Sequence, residues 1–299
     1  MKNKNLLPIV FFIILIFSAC DFITDVYKPQ PPPPPPSDST RRVLLEDYTG
    51  HECVACPSAA VEAKKLKDIY KEGLIVIGVH AGSFAKPDDK TEFKADFRTS
   101  AGDVYDSKSI FNISGPNGNP NGLINRKNYK GGAGKGHIFS YGKWANEVKL
   151  EIEKKAIVMI NIDNKYSESD RSLTCTVEST FFYDTIKSSA YNLVLCIIED
   201  SITAPQLNSS TVIQDYVHNH VLRDNINDTW GDELVTKGEI KKSEKITKKL
   251  TYKFPAAYPK NAAIINQTPC DVKNCHIVAY IYNKDTKEVV QVAEEKVIK

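Results

Sequence analysis

Cys53 and Cys56 stand three apart in GHECVACPSA, residues 50–59, and two thiols at that spacing have a definite chemical use at the start of a helix. Unpaired N–H groups and the macrodipole there favour a thiolate, which makes the first cysteine a nucleophile toward disulfides. The second, a turn further in, attacks the resulting mixed disulfide and releases the partner. Cys53 is therefore expected to attack and Cys56 to resolve. Pro57, near the first turn, removes at most about one helical hydrogen bond. Two other readings stay open. A zinc half-site needs a second ligand pair, and the sequence has no other Cys-x-x-Cys. A structural disulfide, or a pair of idle thiols, needs no partner.

Other residues carry weaker signals. His218 and His220, one residue apart, would point to the same side of a strand and could hold a metal, or could hydrogen-bond within a corner of the fold. Asp224, Asp228 and Asp232 miss the spacing of a calcium loop. GGAGKG, residues 131–136, lacks the first glycine and the final Ser or Thr of a phosphate loop and reads as a flexible loop. Cys270 and Cys275 can close a small disulfide loop if their Cα atoms come within ~7 Å. Cys175 and Cys196, on expected strands, read as buried free thiols. These residues assign no metal and no cofactor.

The seventh cysteine, Cys20, follows a leader. Residues 1–19 hold Lys2, Lys4, an apolar run from Leu6 to Phe17 broken only by Pro8, and then small residues. That is a secretory signal, too short to span a bilayer. The segment FSAC resembles a bacterial lipobox, in which the cysteine becomes the lipidated first residue. Each buried methylene of the acyl chains contributes ~0.8 kcal/mol to anchoring. Beyond Cys20 the six prolines 31–36 favour an extended polyproline helix, making Pro29–Pro36 a stiff spacer of roughly 25 Å. The leader lysines account for the formal net charge of +2: the 39 basic residues less these 2 leave 37, against 37 acidic. A neutral remainder has no electrostatic footprint for nucleic acid.

The elements that must position the dithiol follow from residue patterns. RRVLLEDYTG reads as a strand, and Ala59, Ala63, Leu66 and Tyr70 form the apolar stripe of a helix ended by Gly73. LIVIGVH, 74–80, is a continuous apolar run, as in a parallel strand buried on both faces. A short helix is expected over 88–99, a strand around Leu123, and a helix from Ser140 to Lys155. Beyond Ala156 the period becomes two, as in SLTCTVES and ITKKLTYKF, and about seven strands read as an antiparallel β-sandwich. The expected division is a leader (1–19), a lipidated cysteine with its spacer (20–40), an α/β domain (41–155) and an all-β domain (156–299).

From Arg41 to Lys155 the order strand, Cys-Val-Ala-Cys, helix, strand, then GNPNGLINR resembles a thioredoxin-like domain. That resemblance implies a cis-proline facing the dithiol, Pro120 in preference to Pro116, beside which an extended substrate can pair. No tryptophan precedes Cys53, and Val-Ala is an unusual dipeptide between the cysteines, so redox strength and direction are unassigned. YVHNHVLRD (216–224), WGDE, EDSITAPQ and NCHIVAYIYNKDTKEVVQ resemble the outer-membrane-protein-28-related lipoproteins. That family implies a thioredoxin-like domain followed by an immunoglobulin-like β domain on an outer-membrane lipoprotein.

Two functions follow as expectations. One is an envelope thiol–disulfide oxidoreductase or isomerase-like protein, lipid-anchored at Cys20, using Cys53, Cys56 and Pro120 on exported cysteine-containing proteins. The other is a non-enzymatic outer-membrane surface module that keeps the scaffold for binding.

Overall fold

VLLEDYT and LIVIGVH form a parallel pair, β1 (Val43–Thr49) and β2 (Leu74–His80), in register from Val43↔Leu74 to Thr49↔His80. Helix α1 (Cys56–Tyr70) connects them and buries Ala59, Ala63 and Leu66, three of the four residues of the expected stripe. It ends at Lys71 (φ 51) rather than at Gly73. Gly73 is instead a packing position, because a Cβ there would lie 2.8 Å from the Ile152 side chain. β3 (Asn121–Ile124) runs antiparallel to β1, and β4 (Ile138–Phe139) extends that edge.

This structure, a computed structural model, describes residues 40–115, 118–129, 136–182, 189–237, 242–259 and 267–299. The expected leader, Cys20 and the proline spacer lie outside the described residues, as do Pro116 and nearly all of GGAGKG. No helix expected over 88–99 is present. The short helix there is α2 (Ser100–Asp106), which starts one residue beyond that span because Thr99 caps it by accepting from Gly102 N–H. The helix expected from Ser140 is α3, Trp144–Ile152, preceded by a single 3₁₀ turn. Among the described residues no helix is long and apolar enough to cross a membrane.

The second half is sheet-rich, with β5 (Val158–Ser167), β6 (Ser172–Phe181), β7 (Tyr191–Glu199), β8 (Val221–Asn225), β9 (Asp232–Val235), β10 (Lys245–Lys253), β11 (Cys275–Asn283) and β12 (Val289–Lys296). Its strands do not keep to a sheet of their own. The order β12–β11–β7–β8–β2–β1–β3–β4, with β9 also on β7, makes one nine-stranded sheet that crosses the expected boundary at 155/156. The join is the single parallel bridge Val221↔Gly78, where Gly78 N–H donates to His220 O at 2.7 Å. A parallel β1–β2 pair leaves an open β2 edge, and the second half fills it. All the described residues accordingly belong to one compact unit.

The apolar residues partition by strand face. Leu193, Leu195 and Ile197 of β7 point into a core shared with Leu173, Cys175 and Val177 of β6, beneath the three-stranded layer β10–β6–β5. That two-layer packing is the sandwich element of the fold. Val194, Cys196 and Ile198, on the opposite face, join Leu44, Ile75, Ile77 and Val79 of β1 and β2. The sheet curls until β12 contacts β1, and Arg41 donates to Val289 O at 2.8 Å. α1 and α3 cover the remaining face through Ala59, Ala63, Leu66, Trp144 and Val148.

Inside that curl lies a buried ion pair. Arg126 grips Glu46 of β1 with two bonds, Nε–Oε2 2.7 Å and Nη2–Oε1 2.6 Å, and its guanidinium lies 4.2 Å from the Tyr105 ring centroid. Arg126 also donates to Tyr280 of β11 at 3.1 Å, so one side chain ties β1 to the second half of the chain.

Candidate functional site

The chain leaves β1 at Thr49 and turns through Gly50 to Cys53, whose N–H donates back to Gly50 O at 3.1 Å. Glycine is required at 50 because a Cβ would lie 2.5 Å from the carbonyl carbon and oxygen of Phe84. That close approach lets Glu52 N–H reach Phe84 O at 3.0 Å. Cys56 opens α1 with no side-chain cap at Ala55; Pro57 brings no N–H to the first turn, and Ser58 N–H donates to Ala55 O at 3.1 Å. Cys53 sits just ahead of the helix, not on it, with Cys56 N–H donating to its carbonyl at 3.3 Å. The two sulfurs are joined as a disulfide, with Cα atoms 5.4 Å apart.

Both half-cystines are only 2 % exposed. The cover comes from the second half, from a hairpin of Gln206–Asn208 and Thr211–Ile213. Its first strand lies along the turn: Leu207 N–H donates to His51 O at 2.8 Å and Ser209 N–H to Val54 O at 3.0 Å. The Gln206 amide donates to Gly50 O and Cys53 O, each at 3.2 Å. This hairpin straps the disulfide shut.

Beneath the disulfide is a cavity of about 40 Å³ lined by Cys56, Asp47, His80, Gln206, Tyr216 and His218, roomy enough for at least one water. Asp47 Oδ1 is buried without a hydrogen-bond partner. Burial pushes its carboxyl up to about 7. Both His80 ring nitrogens are likewise unpartnered, and burial, reinforced by the His218 charge, drives its pKa well down, so the ring is neutral. The His218 ring lies tilted against it at 60°, with centroids 5.6 Å apart, and burial lowers its pKa to about 4.

The peptide Asn119–Pro120 is cis. It precedes β3 at the same end of the sheet as the dithiol turn, where Asn119 Nδ2 donates to Thr49 O at 3.1 Å and Ala81 O at 3.2 Å. Cys53, Cys56 and the Pro120 segment thus lie at one end of β1.

Other expected residues are used differently. His218 and His220 do not share a strand face, because His220 adopts φ 57 and its Nδ1 faces Asp200 at 3.2 Å while His218 packs inward. Asp224 accepts from Tyr252, Asp228 from Thr229 N–H and Asp232 from Asn227, so each carboxylate has a local partner. Cys175 and Cys196 are buried free thiols on different cores. The disulfide expected between Cys270 and Cys275 is not formed. Their sulfurs stand 3.9 Å apart as thiols, with Cys275 fixed by the β11 ladder and donating to Asp271 O at 3.4 Å.

Residue patterns alone missed Asp47, His80 and the Gln206 strap. The available signal for Asp47 was an acidic pair, Glu46-Asp47, inside a strand otherwise built of apolar and β-prone residues. Glu46 has Arg126; Asp47 has no cation, which marks it as the anomalous one.

A sheet-rich unit with a strapped Cys-x-x-Cys disulfide where a strand meets a helix is the class of protein that this fold and site define. The profile of the outer membrane protein Omp28 family matches residues 107–299, more than half of the chain, and the chain belongs to that family. The match begins beyond the disulfide. The structure of HBP35 of Porphyromonas gingivalis is similar over 88% of this chain and 77% of that one, at 16% identity and a TM-score of 0.59, which shows a shared fold. A domain of the outer membrane lipoprotein Omp28 from Porphyromonas gingivalis matches at 21% identity over 48% of this chain and 88% of that one, with a TM-score of 0.32. No protein with a curated description matches the sequence.

Proposed function

We propose that this chain is an envelope lipoprotein, anchored through Cys20, whose thioredoxin-like first half exchanges disulfides with exported cysteine-containing proteins. The observation that carries this reading is the shared cavity: the resolving Cys56 and a buried, unpaired Asp47 carboxyl line one small space. In the reduced form the Cys53 thiolate attacks a partner disulfide; its S–S bond breaks and one partner sulfur leaves as thiolate. Cys56 then gives its proton to the Asp47 carboxylate, directly or through one water, and its thiolate attacks Cys53 Sγ, releasing the second partner sulfur. The protein dithiol is oxidised and the partner disulfide reduced. From the disulfide form the same steps run in reverse.

A proton acceptor near pH 7 suits this task, because it takes a proton at neutral pH and returns it with little penalty. The parallel β1–α1–β2 unit, the antiparallel β3–β4 edge and the cis Asn119–Pro120 peptide support the thioredoxin-like reading. Insulin reduction by the purified mature chain, compared with Cys53→Ser, tests it. Turnover in the wild type and none in the variant is expected; equal rates would end the proposal.

The strap favours a second reading, in which a sealed disulfide staples a non-enzymatic binding scaffold. Under that reading dithiothreitol reduces Cys53–Cys56 only when the fold opens globally.

A further inference from the structure

A second sulfur site lies in the other half of the chain. Cys275 opens β11 directly across from Glu199, the last residue of β7. Cys270 reaches the same place over the 3₁₀ turn Val272–Asn274. One ligand atom from each of the three, two sulfurs and a carboxylate oxygen, fall within 4.8 Å of one another. All are buried: Cys275 at 0%, Glu199 at 2% and Cys270 at 7% exposure.

The geometry discriminates between uses. A sulfur separation of 3.9 Å is nearly double the ~2.05 Å of a disulfide. It is close to the ~3.8 Å edge of a tetrahedron whose centre is a zinc ion ~2.3 Å from each thiolate. The third ligand is already oriented, since Glu199 Oε1 accepts from Asp271 N–H at 2.8 Å. Its Oε2 lies 3.1 Å from Arg223 Nε yet is buried with no hydrogen bond of good geometry. Arg223 is oriented by its other partners, Thr268 Oγ1 at 2.6 Å and the Tyr258 ring at 4.7 Å.

Charge gives an independent argument. Two thiolates and one carboxylate bring three negative charges into an apolar core. Arg223 offsets one, and a divalent cation offsets the other two. Glu199 and Cys270 also line an open pocket of about 410 Å³ with Ser201, Thr268 and Asp271, which supplies an entry path.

We propose that Cys270, Cys275 and Glu199 bind a divalent cation of the zinc type, with its fourth position open to that pocket. Three protein ligands and one exchangeable position are the arrangement of zinc sites that act on small molecules.

Cobalt(II) is the optical probe and zinc the competitor. The reduced full mature chain carrying Cys53→Ser and Cys56→Ser is used, which removes the other dithiol. One equivalent of cobalt is expected to produce a thiolate-to-metal charge-transfer band and tetrahedral visible bands, both erased by one equivalent of zinc. Adding Cys270→Ser should abolish the signal. Glu199→Gln should weaken binding on the order of tenfold or more, since even outer-shell partners carry that much. Zinc protection of Cys270 and Cys275 from alkylation reads the same site without altering its ligands. The proposal is overturned if alkylatable Cys270 and Cys275 give no cobalt band and no zinc protection, or if the band survives Cys270→Ser in a folded chain.

Discussion

Replacing Asp47 by asparagine isolates one proton-accepting carboxyl. The group is buried and lacks a cation, and its pKa is raised from 3.8 to about 7 by desolvation alone. The unfolded chain therefore releases this proton near pH 4, while the folded protein keeps it until about pH 7. Between those values the unfolded state gains and the native state does not, so this carboxyl makes the wild type less stable as pH rises. At about 1.4 kcal/mol per pH unit, the full window amounts to about 4 kcal/mol, an upper figure that relaxation of the cavity reduces. Asparagine matches the neutral acid in size and polarity and does not ionise. Near pH 4 the two proteins should be about equally stable; above about pH 7 the variant should be more stable by about 2–4 kcal/mol. Urea midpoints with the disulfide intact, measured across that window, give the difference directly. The buried His80 and His218 titrate in both proteins and cancel in the comparison. A stability difference constant to within about 1 kcal/mol from acid to alkaline pH would refute the assignment of a high carboxyl pKa at this position.

Further outcomes concern the strap, the ion pair and the turn. Gln206→Ala removes two hydrogen bonds that pin the dithiol turn, about 2 kcal/mol. Reduction of Cys53–Cys56 by dithiothreitol should then speed up on the order of tenfold, and an unchanged rate would show that the strap does not control access. Arg126→Ala strands the buried Glu46 carboxylate, and denaturant unfolding should show a loss of about 3–5 kcal/mol; a loss under about 1 kcal/mol would contradict the account. Gly50→Ala forces a Cβ against the Phe84 carbonyl and should cost about 1–3 kcal/mol in the same assay, whereas a neutral result would mean that the turn relaxes freely.

The strand–helix–strand start of the fold was legible because its signals are local: an apolar run, a stripe at helical spacing, a dithiol at the junction. β5, β6 and β10 were legible as strands for the same reason, since residues such as Leu173, Cys175 and Val177 alternate cleanly, but not which of them pair. What the patterns could not carry was long range. A boundary at 155/156 looked natural where the period changed, yet Val221 bridges to Gly78 and Gln206 reaches Cys53 across more than a hundred residues. The β-prone run 211–222 does not form one strand but breaks into short pieces, because Gln214 to Tyr216 leave the sheet and His220 takes positive φ. Asp47 lay in plain view, but its lack of a cation is a property of packing. So is the distance between Cys270 and Cys275, which depends on how a 3₁₀ turn meets the β11 ladder.

Cys56→Ser removes the resolving thiol while leaving Cys53 in place, so any partner attacked by Cys53 stays attached. Expressed in cells and separated under non-reducing conditions, this variant should carry reducible adducts of exported proteins that disappear in the Cys53→Ser, Cys56→Ser double variant. No adducts, with Cys53 of the single variant shown to be alkylatable in the folded protein, would contradict disulfide exchange at this site.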